Sequence, residues 1–204
     1  MNSELFDFTD KTIKVRDYYI KNVPRQSVRN FIEKWHYSKS INGLMSEHCF
    51  ALYRGNEIVG AMIYGSMAMV DQWKPYGDKE PDVIELRRLC CIDDTPKNTE
   101  SRFMGLTLKW LKKNTDIKTV ISYADPNYGH SGTIYKASNF KHVGMSSPCR
   151  VIMYNGKKYH DKTIRAKYNG ELKPFAKDVK KALESGQAEY IAQVGKHIYR
   201  YDLK

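Results

Sequence analysis

The chain has 204 residues, 41% of them hydrophobic and 28% charged, a composition that excludes wholesale disorder and suits one domain, with room for a small appendage. A formal net charge of +11 calls for a polyanionic partner: nucleic acid first, then an anionic cofactor or a membrane surface. Ten Lys and two Arg against six acids fall within residues 155–204, so that quarter carries more than half of the surplus.

In chain order, Val28, Phe31, Ile32 and Trp35 recur at helical spacing, with Ser27 as a plausible cap and an end near Trp35-His36-Tyr37-Ser38. A loop over Ser40 to Ser46 follows. His48–Arg54 and Glu57–Tyr64 read as a hairpin turning at Gly55-Asn56, and residues 66–81 as a long loop. Val83–Cys91 reads as a central strand. A helix capped by Asn98 or Thr99 has Phe103, Leu106, Trp110 and Leu111 as its expected inner face. Lys118–Ala124 is the next strand, and a short helix is expected over about His130–Ser138. Asn139-Phe140 leads into another strand, and Cys149–Tyr154 is expected to continue the sheet. A helix over about Phe175–Glu184 precedes a hairpin expected around Gly195.

Strand-helix-strand units argue for parallel neighbours and the early hairpin for antiparallel ones, so the fold class is α/β with a mixed sheet flanked by helices. The expected division is a catalytic domain over 1–154 and a basic extension over 155–204 packed on it. Cys49, Cys90, Cys91 and Cys149 have neither zinc-site nor disulfide-framework spacing and fit free thiols in a reducing compartment. With no apolar signal segment and no membrane-length run, a cytoplasmic protein is expected.

The element order, with Gly132-Thr133-Ile134-Tyr135-Lys136-Ala137-Ser138-Asn139-Phe140 near its end, resembles the GNAT acyltransferases. Four stretches carry a closer resemblance. They are Trp35-His36-Tyr37-Ser38, Glu85-Leu86-Arg87-Arg88-Leu89, Ser101-Arg102-Phe103-Met104-Gly105, and Ser122-Tyr123-Ala124-Asp125 running on to Gly129-His130-Ser131-Gly132-Thr133-Ile134-Tyr135. In order and spacing they are similar to the Mom family of phage DNA-modification proteins, over about residues 28–145. The resemblance implies a transferase that converts adenine in DNA to its N6-carbamoylmethyl form and protects phage DNA from restriction in the host cytoplasm. The chain departs from CoA-binding GNAT proteins in the loop from Thr95 to Gly105, which lacks the glycine pair that lets backbone amides approach a pyrophosphate. The donor is therefore open, between acetyl-CoA and a glycine-derived compound. The competing readings are an ordinary acetyltransferase acting on a protein or small-molecule amine, and a non-enzymatic DNA-binding protein.

The adenine N6 amine is a poor nucleophile, so catalysis needs a base, an activated donor carbon, or both. His36 can serve as a base near neutral pH, and Tyr37 can stack on the adenine or donate a hydrogen bond. Asp125, at the C-terminal end of a strand, can accept from the amine, orient His36 or simply build a turn. Tyr135 matches the GNAT tyrosine that protonates a leaving group. Arg87, Arg88, Ser101 and Ser122 are the expected donor-binding residues; strand alternation puts Arg87 and Arg88 on opposite faces, one of them paired with an internal carboxylate. His36, Asp125 and His130 are a possible metal set. Lys157, Lys158, Arg165 and Lys167 are expected to contact DNA phosphates, and the loop Met67–Gly77, with Trp73 and Tyr76, to clamp the base or fill its gap. Because the target amine pairs inside a duplex, the adenine must be flipped or single-stranded.

Overall fold

The computed structural model describes residues 14–204. β1 (Tyr19–Asn22) leads into α1 (Arg25–Trp35), which begins behind Pro24, two residues ahead of the expected cap. Proline fixes the entering φ and gives up no needed donor there. β2 (His48–Arg54) and β3 (Glu57–Gly65) form the expected hairpin. Val28 and Ile32 of α1 are fully buried against Cys49, Ala51, Ala61 and Ile63 on one face of it. Each such aliphatic chain contributes about 1.5–3 kcal/mol by leaving water.

β4 (Val83–Cys91) runs antiparallel to β3, and α2 (Thr99–Asn114) covers the other face of the sheet. Its buried stripe is Phe103, Met104, Thr107, Leu108 and Leu111, whereas Leu106 and Trp110 stay partly exposed. The expected inner face is thus rotated. Thr107 can be buried because its hydroxyl lies 2.9 Å from the Met104 carbonyl oxygen and 2.7 Å from the Tyr64 hydroxyl.

β5 (Thr119–Ala124) lies parallel to β4, with Leu86 opposite Ser122 as the last pair, while β4 runs on to Cys91. α3 (Thr133–Ala137) is shorter than expected, and β6 (Lys141–Met145) follows. β7 (Cys149–Tyr154), β8 (Lys157–His160), β9 (Lys167–Tyr168), β10 (Glu171–Leu172), α4 (Pro174–Glu184), β11 (Glu189–Gln193) and β12 (His197–Asp202) complete the order. The main sheet runs β1-β2-β3-β4-β5-β12-β6, and a second runs β11-β7-β8. The sheet is therefore mixed, as its sequence implies. Two expectations fail. β7 does not continue the main sheet, and β11 and β12 form no hairpin, because each finds its ladder in a different sheet.

The chain divides into two compact units. The first holds the described residues up to Ser122, with Gly132–His142 and Tyr199–Lys204; the second holds Tyr123–Ser131 and Val143–Ile198. The position 154/155, where the sequence suggests a boundary, falls inside the second unit, and the first thirteen residues of the expected catalytic domain lie outside the described range. β7 lies before that boundary but pairs with β8 and β11 beyond it. In the second unit α4 packs Val179 and Ala182 onto Ile152 of β7.

Candidate active site

A bulge in β4 organises the first unit's site. Leu86 pairs with Tyr64 and Arg88 with Ile63, so Arg87 is an extra residue. Tyr64 faces α2, through Thr107, and Ile63 faces α1. The extra residue breaks alternation and turns Arg87 and Arg88 to the same face, correcting the expectation that they diverge. Arg87 Nη1 donates to Glu85 Oε2 at 3.1 Å and to the Ser66 carbonyl at 3.0 Å. Glu85 is buried and is the internal carboxylate that the sequence required without identifying. Arg88 differs: its Nε donates to the Ser40 carbonyl (3.4 Å) and its Nη1 to the Arg87 carbonyl (2.7 Å). Burial disfavours its charge, the Tyr37 hydroxyl supports it, Arg87 opposes it and Glu85 supports it.

α1 delivers the next group. His36 is extended at the helix end, where its amide closes on the Ile32 carbonyl. Its Nδ1 accepts the Ser38 amide at 3.1 Å and lies 2.8 Å from the Ser38 hydroxyl, whose oxygen is 3.2 Å from the Ser40 carbonyl that holds Arg88. An amide can only donate, so the neutral ring carries its proton on Nε2. The Tyr37 ring lies 4.3 Å from the His36 ring and is 50% exposed.

Tyr135 comes from α3. Burial pushes its phenol above the ordinary value; a hydrogen bond from Ser122 lowers it, and Tyr37, Glu85 and Tyr199 raise it further. It is protonated at neutral pH. Its ring packs 5.1 Å from Tyr199 and 5.6 Å from Phe140. Ser122 is fully buried, its hydroxyl 3.4 Å from the Leu86 carbonyl at the end of the β4–β5 ladder. In the first unit Tyr37 and Glu85 thus lie within electrostatic reach of both Arg88 and Tyr135, and Ser122 hydrogen-bonds with Tyr135.

The remaining expected residues fall elsewhere or act differently. Ser101 sits in the first turn of α2, but its hydroxyl donates back to the Asn98 carbonyl at 3.1 Å. Glu100 occupies the same turn, and Asn98 takes the left-handed conformation. A carboxylate at a helix N-terminus opposes an anion there, so this turn does not fit a CoA pyrophosphate.

Asp125 belongs to the second unit. Its Oδ1 accepts the Asn127 amide (3.0 Å) and side chain (2.8 Å), and Lys196 Nζ lies 3.1 Å from Oδ2. Burial pushes its pKa up, but these partners outweigh burial and hold it below the ordinary value. Oδ1 thus builds the turn, while Oδ2 ties it to Lys196. Among the described residues no group of three or more His, Cys, Asp or Glu side chains could hold a metal ion, so the set His36, Asp125 and His130 gains no support.

Trp73 and Tyr76 are partly buried in their loop. Lys157, Lys158 and Lys167 are exposed, and Arg165 pairs with Asp161 at 2.5 Å. Lys158 lies 4.8 Å from the Tyr128 ring centroid and Arg150 3.9 Å from that of Tyr190, the latter a pair not singled out from sequence. Among the described residues no helix is long and apolar enough to cross a membrane.

A family model described as the Mom protein family matches residues 17–204. The chain is 28% identical over 141 residues to the methylcarbamoylase Mom of Escherichia phage Mu, a match covering 68% of this chain and 58% of that protein's length. Among solved structures it is similar to a Bacillus subtilis acetyltransferase in complex with CoA (TM-score 0.51, 13% identity, 92% of this chain and 98% of that one). It is also similar to an N-acetyltransferase from Staphylococcus aureus Mu50 (TM-score 0.52, 15% identity, 92% and 99%). At such identities the likeness is one of fold, and the fold is GNAT-like.

Proposed function

The chain belongs to the Mom protein family, and on that premise we propose that it is a transferase acting on the N6 amine of adenine in DNA, leaving an N6-carbamoylmethyl group. The observation that carries this reading is the pairing of a buried, protonated Tyr135 with a half-exposed Tyr37 beside Arg88. Tyr37 offers an aromatic face on which an extruded base stacks. Tyr135 holds a proton at neutral pH and can pass it to the leaving group as the N6–carbon bond forms and the bond from that carbon to the leaving group breaks; the phenolate so formed takes up the proton that N6 gives up, which restores the phenol. Arg88, whose hydrogen bonds go to main-chain carbonyls, and Arg87, balanced by Glu85, favour negative charge on the donor. Ser122 positions Tyr135, and His36 supports the Tyr37 ring and can donate from Nε2.

The acetyltransferase reading is weaker, because the first turn of α2 does not fit a CoA pyrophosphate. Asp125 is proposed as a positioning residue that fixes the turn after β5 through Asn127 and Lys196. Lys157, Lys158 and Lys167, with Arg165 beside them, are proposed as phosphate contacts of the DNA. The partners that fit are DNA with its adenine flipped or single-stranded, in a cytoplasmic setting.

Expression in bacteria followed by mass spectrometry of digested plasmid nucleosides tests the reading. A shifted deoxyadenosine is expected, and its absence with abundant folded protein overturns the assignment. Tyr135→Phe should lower modification by about 100-fold or more while leaving the melting temperature near wild type.

A further inference from the structure

Ala68, Met69 and Val70 form a run of three consecutive exposed apolar residues, directly after the partly buried Met67. Val70 is 93% exposed and Met69 56%. Single exposed apolar side chains need no explanation, but a consecutive exposed run is a liability that a sequence keeps only for use.

The turn that presents them is built. The Met69 amide donates to Gln72 Oε1 (3.1 Å), and the Lys74 and Tyr76 amides donate to the Asp71 and Trp73 carbonyls (3.1 and 2.8 Å). Asp71, directly after Val70, takes a left-handed φ of 64° and pairs with Lys74 at 3.1 Å. The root of the loop is fixed as well. Ser66 gives its carbonyl to Arg87, and a Cβ on Gly65 would lie 1.8 Å from the Met45 carbonyl oxygen, so two loops close on each other there. A braced turn anchored on a site arginine thus holds two bare apolar side chains outward.

We propose that Met69 and Val70 are the wedge that enters the DNA base stack and fills the space vacated by the extruded adenine. This rests on the adenine-modifying reading above. Within the loop expected to clamp the base or fill its gap, it gives the gap-filling role to these two residues in place of the partly buried Trp73 and Tyr76. Proteins that unstack duplex DNA insert small apolar groups, methionine among them, between base steps. The unstacking that such a wedge offsets amounts to a few kcal/mol, and it is absent when the target is already single-stranded.

The test compares wild type with the double variant Met69→Ala, Val70→Ala on duplex plasmid and on the same DNA as heat-denatured single strands. Modification of the duplex should fall by about tenfold or more, while the single strands are modified within about twofold of wild type. Equal loss on both substrates, or no loss on the duplex, overturns the wedge. A second readout needs no chemistry: duplexes carrying 2-aminopurine in place of adenine should brighten on binding wild type and stay dim with the variant, at equal binding by anisotropy. Brightening unchanged by the substitutions, or absent with wild type, also overturns it. If no modified adenine forms on either substrate, the enzymatic reading falls, and the fluorescence still decides the wedge.

Discussion

A methyl group placed on Gly132 would lie 2.2 Å from the Tyr199 ring, and the residue's φ is +76°. Both facts forbid a side chain where α3 begins, three residues before Tyr135. Gly132→Ala should therefore destabilise the protein by about 1–3 kcal/mol in denaturant unfolding and displace Tyr135, lowering modification as well. Asp125 makes a different prediction. Its folded pKa lies below the ordinary 3.8, so its contribution to stability is present above that value and is lost as pH falls through the lower folded value. Thermal melts of wild type should lose stability below about pH 4, and Asp125→Asn should flatten that part of the profile; parallel profiles would refute the role. Short motifs single out Tyr135, Tyr37 and both arginines in the sequence, and the structure places all four in the first unit. Glu85 lies among the same motifs, but the sequence does not distinguish it from a surface carboxylate; only the fold shows it buried against Arg87. His36 stands out in the same way, but its hydrogen bonds with Ser38 are visible only in the fold.

At the scale of elements, strands bounded by turns were read to the residue, as in β2 and β4, because alternation and Gly55-Asn56 leave little freedom. The rotated face of α2 is not legible in the apolar pattern because Thr107 counts as polar, although its bond to Tyr64 is what lets it be buried. Thr107→Val keeps the shape and leaves the buried Tyr64 hydroxyl without that partner. It should cost about 1–3 kcal/mol by chemical denaturation with no change in DNA affinity. The bulge at Arg87 left no trace in the apolar pattern, since one inserted polar residue in a strand reads like any other. Its effect is nonetheless large, because it aims two guanidinium groups at one face.

For the whole molecule, the α/β class followed from element order, and the comparisons bear it out as GNAT-like. The two-unit division did not, because the chain leaves the first unit at Tyr123, returns at Gly132, leaves again at Val143 and returns at Tyr199. No composition shift marks those crossings. The +11 charge argues at this scale too. DNA binding should weaken steeply with salt, and changing Lys157 and Lys158 to Gln should reduce the log–log slope by about 2, near 0.9 per phosphate contact. An unchanged slope in a salt titration would remove those lysines from the interface.

The place of β12 has a consequence for biosynthesis. It lies inside the main sheet between β5 and β6, yet it begins 73 residues after β5 ends. A nascent chain that has already exposed β5 and β6 cannot zip its sheet until that late strand emerges from the ribosome. During the wait the bare edges of two strands invite pairing with other chains, and closure depends on a contact of long sequence separation. Folding yield in the cell should therefore respond to translation speed and chaperone supply more than to the stability of the finished fold.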